Sequence, residues 1–375
     1  MIRLGIFGGG QLAQMLTQSA VALGVETVIF DPAIDTPAGR YTSHKVIGDW
    51  GDPAALNAFA SQCDIVTLEN EFVAAAILAD LESRGLPVFP TAATLAVIQD
   101  KLLQKERMRQ AGLAVPPFSA VRAPDDVRAF AAAYGWPLVL KARRNGYDGY
   151  GNATLRHPED IAAAWERLSA RSDLLAEAWV PFVHELAVMI GRGRDGSIVV
   201  YPAVETVQRN HICHMVRAPA AIPPATAKHA AALAQQAVTA IDGIGIFGVE
   251  LFALPDGQVL YNEIAPRPHN SGHYTIEGCT TSQFENHLRA VLGWPLGSSQ
   301  LRAPAIVMVN LLGSRNGAVT SDVLNTALAV PGAHIHLYGK RQARIGRKMG
   351  HITALGANIA EAEAIALRAA RLVNI

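Results

Sequence analysis

The sequence is short of cysteine, of aromatic side chains and of net charge, and each shortage narrows what the chain can be. Its 375 residues include three cysteines, Cys63, Cys213 and Cys279, far apart and with no C-x-x-C. A disulfide framework or a cysteine zinc site is not expected; free thiols in a reducing compartment are. Lys plus Arg and Asp plus Glu both number 32, a formal net charge of +0. No global field draws the chain to nucleic acid or to an anionic membrane, so any anion site has to be local. No run reaches the roughly 18 apolar residues of a membrane span. The opening MIRLGIFGGG lacks the layout of a signal peptide. A cytoplasmic protein with neither membrane nor nucleic-acid partners is expected. Disorder is not, because 50% of the residues are hydrophobic, enough for a sizeable core.

What is present changes character along the chain. Strands at Ile2–Phe7, Val25–Phe30, Ile65–Leu68 and Pro87–Phe89 alternate with helices at Gln11–Leu23, Pro53–Ala60 and Ala74–Arg84. Such alternation implies βαβ units and a parallel sheet. Beyond Thr91 a helix at Asp100–Ala111 leads to Pro116-Pro117. Strands at Leu138–Ala142, Glu185–Gly191, Ile198–Thr206, Phe247–Leu254 and Val259–Ile264 then follow closely, as in a mostly antiparallel α+β domain. After Trp294-Pro295 come strands Ala305–Leu311 and Ala333–Tyr338, a basic loop and a helix from Ile359 to Leu372. Three domains are expected, at residues 1–97, 98–296 and 297–375.

Three constellations bear chemistry. Gly8, Gly10 and Ala13 fit a G-x-G-x-x-A turn between a strand and a helix, with Asp31 at the end of the second strand. Small residues there let a phosphate approach a helix N-terminus, for a nicotinamide cofactor or another phosphate; tight packing alone uses the same glycines. Lys141 ends a strand and precedes Arg143, Arg144 and the glycine-rich run Gly146–Asn152, suited to phosphate oxygens though it is no Walker A loop. Third, Pro255-Asp256-Gly257-Gln258 is a strong turn signal between two apolar strands. A two- or four-residue loop centred on Asp256-Gly257 sets Glu250 opposite Glu263, on a face shared with Tyr261, Phe252 and Leu254. Opposed carboxylates on an apolar face repel, and a divalent cation relieves the repulsion; oxygen ligands beside Asn262 suit magnesium. The alternative is a surface hairpin with both acids in water.

Together these features resemble the ATP-grasp enzymes, and more narrowly the 5-(carboxyamino)imidazole ribonucleotide synthase family of purine biosynthesis. The carrying motifs are Gly8–Met15, Gly146–Gly151, Ala265–His273 and Gly346–His351, which span nearly the whole chain. The resemblance implies a Rossmann-like N-terminal domain, a central ATP-grasp domain and a small C-terminal domain. It also implies a homodimer that uses ATP, Mg2+, bicarbonate and 5-aminoimidazole ribonucleotide, an ATP-dependent carbon–nitrogen ligase working through carboxyphosphate. By the same resemblance, Lys101, Lys141, Gly146, Tyr147, Asp148, Gly149, Tyr150, Gly151, Asn152, Glu177, Ala178, Trp179, Val180, Glu185, Gln208, Asn262 and Glu263 bind ATP. Glu250 and Glu263 hold the metal. Tyr147, Asp148, Arg267, His269 and Asn270 line the reacting centre, and Gly10, Gln11, Leu12, Glu71, Lys340, Arg347 and Lys348 take the ribonucleotide.

Three positions depart from the family pattern. Tyr150 replaces a basic residue, for which Arg143 or Arg144 could compensate; Gln208 replaces a histidine; and Glu69-Asn70-Glu71-Phe72 replaces E-F-E-N. Other readings remain open: another ATP-grasp acyl-phosphate ligase, an NAD-dependent dehydrogenase built on Gly8–Ala13 and Asp31, or a non-enzymatic phosphate-ligand sensor. His211 and His214 beside Cys213 are read as ordinary strand residues.

Overall fold

The computed structural model describes residues 1–146, 151–209 and 212–375. Its first unit is a parallel sheet of β1 (Arg3–Phe7), β2 (Glu26–Asp31), β3 (His44–Ile47) and β4 (Ile65–Leu68), in the order β3-β2-β1-β4. Helices α1 (Gln11–Ala22), α2 (Pro53–Ala60) and α3 (Ala75–Ser83) connect the strands. Apolar residues occupy both faces of β1, as a sheet covered by helices on both sides requires. The alternation read from the sequence is there, with two corrections. His44–Ile47 adds an edge strand too polar to stand out, and Pro87–Phe89 contributes one isolated bridge, Val66 to Val88.

Helices α4 (Ala92–Ile98) and α5 (Lys101–Gln110) lead into a four-stranded antiparallel sheet. It consists of β5 (Phe118–Val121), β6 (Leu138–Ala142), β7 (Asn152–Leu155) and β8 (Leu174–Ala178), in the order β5-β8-β6-β7. Helices α6 (Pro124–Tyr134) and α7 (Asp160–Ser169) pack on it through Val127, Phe130, Ile161 and Leu168.

The largest sheet begins with β9 (His184–Arg192), β10 (Ile198–Val200), β11 (Val204–Arg209) and β12 (Ile212–Ala218). The single strand expected over Ile198–Thr206 is therefore two strands; Pro202 lies in the break, where it cannot donate to a ladder. Helix α8 (Pro224–Ala240) covers one face. Strands β13 (Gly245–Ala253) and β14 (Val259–Ala265) form the hairpin at the sheet's edge. After α9 (Thr275–Gly278) and α10 (Gln283–Leu292), the chain adds β15 (Ala305–Leu312), the short β16 (Gly317–Ala318), β17 (Ala333–Leu337), the short β18 (Gln342–Ala343) and β19 (Lys348–Gly356). Strands β15, β19 and β17 extend the same antiparallel sheet, in the order β14-β13-β9-β11-β12-β15-β19-β17. The last helix, α11 (Ile359–Arg371), covers β15 and β19 through Ala362, Ala366 and Ala369.

The hairpin positions the site, and its register differs from expectation in two places that cancel. Its loop has three residues rather than two or four. Leu254 N–H donates to the Gln258 carbonyl, and Gly257 sits at φ +85°, the left-handed residue that such loops require. This offsets the ladder by one, so Ala253 pairs with Val259 and Leu251 with Tyr261. A bulge then takes the offset back: Glu250 pairs with Glu263, and Asn262 is the extra residue. Plain alternation would send Asn262 and Glu263 to opposite faces. With the bulge, Tyr261 and Ile264 both enter the core against Leu233 and Ala237 of α8, while Asn262 and Glu263 both line the open side. The expectation that Tyr261 shares a face with Glu250 is thereby overturned.

Candidate active site

One cavity of about 770 Å³ lies where the three units meet. The paired carboxylates hold its centre. Burial, then the charge of Glu263, pushes the Glu250 carboxyl up to about 8. Burial acts on Glu263 too, but the ammonium of Lys101, which pairs with it directly, outweighs burial and holds it down to about 2. Such a split is what two like charges on a dry surface produce. Two carboxylates whose repulsion leaves one of them protonated fit a divalent cation. Among the described residues no group of three or more His, Cys, Asp or Glu side chains is arranged to hold a metal. The pair would therefore supply two ligands and leave the rest to ligand and solvent oxygens, the habit of magnesium.

Lys101 opens α5, whose first turn is capped by Asp100 accepting from Leu102 N–H at 3.0 Å. Asp100 also takes both prongs of Arg143, at 3.0 and 2.6 Å, and Arg144 Nε lies 3.6 Å from it. Arg143 is thus committed to bracing the base of the glycine-rich loop. Both arginines line the cavity, and Arg144 is the more exposed of the two. Tyr147, Asp148, Gly149 and Tyr150 lie outside the described residues, as does His211.

Lys141, at the end of β6, donates to Glu177 Oε1 at 2.6 Å and to Asn262 Oδ1 at 3.4 Å. The sequence reading missed a third member. Lys105 Nζ, 1% exposed, lies 2.5 Å from Glu177 Oε2 and donates to the Asn262 carbonyl at 3.0 Å. Its spacing from Lys101, one helical turn further along α5, was the available signal. Burial lowers the Lys105 ammonium to about 8 against the pull of Glu177. Burial also raises the Glu177 carboxyl, but the two lysines outweigh it and hold it below its usual range. Gly146, Asn152, Glu185 and Gln208 line the same part of the cavity. Glu177, Ala178, Trp179, Val180 and Gly151 are not among the lining residues. The Glu177 carboxylate is spent on the lysines, and Trp179 faces solvent.

On the other side, Arg267 is gripped by both carboxylate oxygens of Glu71, with Nη2 2.9 Å from Oε1. Burial pushes the Glu71 carboxyl up, but Arg267 outweighs it and keeps it below its usual range. His269 Nε2 lies 3.5 Å from Glu250 and its Nδ1 2.8 Å from Ser271 Oγ. Burial, with Arg267 and Lys348 nearby, lowers this imidazole to about 4, so it is neutral at physiological pH. Asn270 exchanges hydrogen bonds with Asn310 of β15, at 2.9 and 2.7 Å, tying the Pro266–His273 loop to the C-terminal strands. Asn310 was not foreseen.

The far end of the cavity is basic. Lys340, Arg347 and Lys348 line it with Gly10, Gln11 and Leu12, and Lys340 Nζ donates to Gln11 Oε1 at 2.5 Å and to the Lys348 carbonyl at 2.7 Å. Here the dinucleotide reading of the glycine turn fails. Glu69, at the end of β4, accepts from Gly10 N–H at 2.7 Å, Leu12 N–H at 3.2 Å and Ala13 N–H at 3.1 Å. Asp31 accepts from Gly9 N–H at 2.8 Å and Ala33 N–H at 2.7 Å rather than awaiting a ribose. The turn does receive a carboxyl group at a helix N-terminus, but it is the protein's own, and burial raises its pKa against the pull of the Ala13 and Gly10 N–H groups. A Cβ on Gly10 would stand 2.5 Å from Glu69 Oε1, which is why glycine is needed there.

Comparison with known proteins covers the whole chain. The ribonucleotide synthetase preATP-grasp domain matches residues 1–99, the ATP-grasp domain residues 106–284, and the phosphoribosylaminoimidazole carboxylase C-terminal domain residues 306–365. The N5-carboxyaminoimidazole ribonucleotide synthase of Synechococcus elongatus is 43% identical over 353 residues, 93% of this chain and 88% of that protein. The phosphoribosylaminoimidazole carboxylase of Schizosaccharomyces pombe is 41% identical over 96% of this chain, which spans 66% of that protein's length. A crystal structure of N5-carboxyaminoimidazole synthase from Aspergillus clavatus in complex with ADP and 5-aminoimidazole ribonucleotide superposes with a TM-score of 0.92 at 37% identity, covering 99% of this chain and 98% of that one. An ADP complex of N5-carboxyaminoimidazole ribonucleotide synthetase gives 0.93 at 33% identity, covering 99% and 96%.

Proposed function

The chain belongs to the N5-carboxyaminoimidazole ribonucleotide synthase family of ATP-grasp proteins, and from that premise we propose that it carboxylates the exocyclic amine of 5-aminoimidazole ribonucleotide at the expense of ATP, in purine biosynthesis. The supporting observation is the layout of this cavity. Lys141 stands at one end with Lys101 beside the central carboxylate pair, Lys340, Arg347 and Lys348 make the other end basic, and Arg267 with His269 lies between.

In this reading Lys101 and Lys141 neutralise the ATP phosphates, work that is electrostatic rather than covalent. Glu250 and Glu263 would hold Mg2+, which would screen phosphoryl charge. Bicarbonate oxygen takes the γ-phosphoryl group, giving carboxyphosphate and ADP. Carboxyphosphate then splits into phosphate and carbon dioxide, and the ribonucleotide amine adds to carbon dioxide and loses a proton, giving the carbamate. Arg267, whose Nε and Nη2 are held by Glu71 and whose Nη1 reaches the Pro268 carbonyl, keeps a planar cation beside the carboxyl oxygens with its remaining N–H groups to donate. His269, held neutral, orients by hydrogen bonds and does not add charge beside Arg267. Lys340, Arg347 and Lys348 receive the 5′-phosphate. The lability of carboxyphosphate calls for a lid, and the Gly146–Asn152 run is suited to that role.

The units of work are residues 1–97, 98–296 and 297–375, acting in a homodimer and in the cytoplasm. The three free cysteines suit a reducing compartment; sedimentation tests the dimer. The test of function is ADP release measured with and without each component. Release should require magnesium and rise with both bicarbonate and 5-aminoimidazole ribonucleotide. Hydrolysis indifferent to the ribonucleotide would end the specific assignment and leave another ATP-grasp acyl-phosphate ligase.

A further inference from the structure

Strand β14 is the edge of the large sheet, so it has one row of backbone groups without a neighbouring strand. The Ala114 carbonyl accepts from Tyr261 N–H at 2.8 Å, and helix α5 covers the rest of that row. Gln104 Oε1 accepts from Tyr261 OH at 2.6 Å and from Ile264 N–H at 3.3 Å, and its Nε2 donates to the Ile264 carbonyl at 3.3 Å. Lys105 takes the carbonyl of Asn262, the bulged residue with no partner opposite. The same ammonium reaches Glu177 Oε2, whose other oxygen holds Lys141. All three side chains are buried. One carboxylate is shared by two ammonium groups, so the group carries one net positive charge away from water.

A lone Lys141–Glu177 pair would be neutral and would hold Lys141 to its own counter-ion. With Lys105 on the second oxygen, half of Glu177 is engaged elsewhere, and Lys141 retains charge to give to a phosphate. Lys105 does not line the cavity; its influence has to pass through Glu177 and Asn262. A partly buried charge acts strongly over such short distances, because the surroundings screen it poorly.

We propose that Lys105 is a positioning residue for the nucleotide site, which keeps Lys141 available by sharing Glu177. The inference rests on the ATP site proposed above. Its experiment is calorimetric titration of ADP with Mg2+ into the full chain and two variants, each checked for folding by thermal unfolding. Lys105→Met keeps the volume and leaves a neutral Lys141–Glu177 pair; ADP should bind about tenfold more weakly, while affinity for 5-aminoimidazole ribonucleotide stays unchanged. Adding Glu177→Gln to Lys105→Met restores one net positive charge at Lys141, and ADP affinity should return to within about threefold of wild type. A residue that merely supports packing would lose stability without this rescue. Lys105→Met binding ADP as wild type does, or a double variant as weak as the single one, overturns the proposal. Should the single variant not fold, the double variant decides alone, and a loss of more than about tenfold overturns it. Failure of the wild-type chain to bind ADP would instead defeat the functional reading.

Discussion

Replacing Glu250 by glutamine should make the protein more stable while stopping its turnover. Glu250 and Glu263 are directly opposed across the hairpin, and opposed positions bring Cβ atoms to about 5 Å. At an effective dielectric of about 20, two unit charges at about 5 Å repel by roughly 3 kcal/mol. Lys101 offsets part of this through Glu263, and Glu250 escapes the remainder at neutral pH by holding its proton, at a cost of about 1–2 kcal/mol that glutamine does not bear. Unfolding entropy of about 2 cal/mol/K per residue turns that into a rise in Tm of about 1–3 °C for a chain of this length.

The same substitution alters how stability depends on pH. Burial and Glu263 raise the Glu250 carboxyl from 4.5 to about 8. Its contribution to stability is therefore fully present below about pH 4.5 and lost as pH rises through about 8. Glu250→Gln should match wild type near pH 4.5 and exceed it increasingly up to pH 8. Saturating ADP with Mg2+ should narrow the gap by stabilising wild type more. Differential scanning fluorimetry across pH measures all of this. A glutamine variant that melts below wild type at pH 8, or that keeps magnesium-dependent ADP release, would refute the reasoning.

Glu69→Gln replaces one of the two carboxyl oxygens that accept three backbone N–H groups at the start of α1 and should cost about 1–3 kcal/mol in urea unfolding; recovery of tight NADH binding in any form of the protein would contradict the reading of the turn as self-capped. Arg267→Lys cannot span both Glu71 oxygens, so ribonucleotide-dependent kcat should fall at least about tenfold with the ATP KM little changed. A substantial rise in the ATP KM would move Arg267 to the nucleotide. Arg347→Ala should chiefly raise the ribonucleotide KM, and loss of ATP affinity instead would show that its loop serves the other end of the cavity.

The opposition of Glu250 and Glu263 could be read from the sequence, though by a route that contained two errors of one residue each. The three-residue loop Pro255-Asp256-Gly257 shifts the pairing by one residue from the assumed register, and the bulge at Asn262 shifts it by one in the other sense. Turn chemistry is local and shows in the letters; a bulge depends on what the strand packs against, and nothing in Tyr261-Asn262-Glu263 announces it. Glu71 drew little weight because its segment departs from the family pattern, yet Arg267, 196 positions away, grips it. The glycine turn misled for a related reason. Its shape is that of an anion site, and whether a cofactor or Glu69 fills it is decided by where β4 ends.

Composition, alternating elements and the motifs at Gly146–Gly151, Ala265–His273 and Gly346–His351 were enough by themselves to give the family, the order of the units and most of the cavity's lining, because each is carried by neighbours along the chain. Tertiary structure alone decided which carboxylate caps α1, which arginine is spent on Asp100, how Lys105 enters the nucleotide end, and that Asn262 and Glu263 look the same way. Those outcomes depend on contacts between segments far apart in the chain, where burial raises the cost of any unpaired charge and so selects the partner.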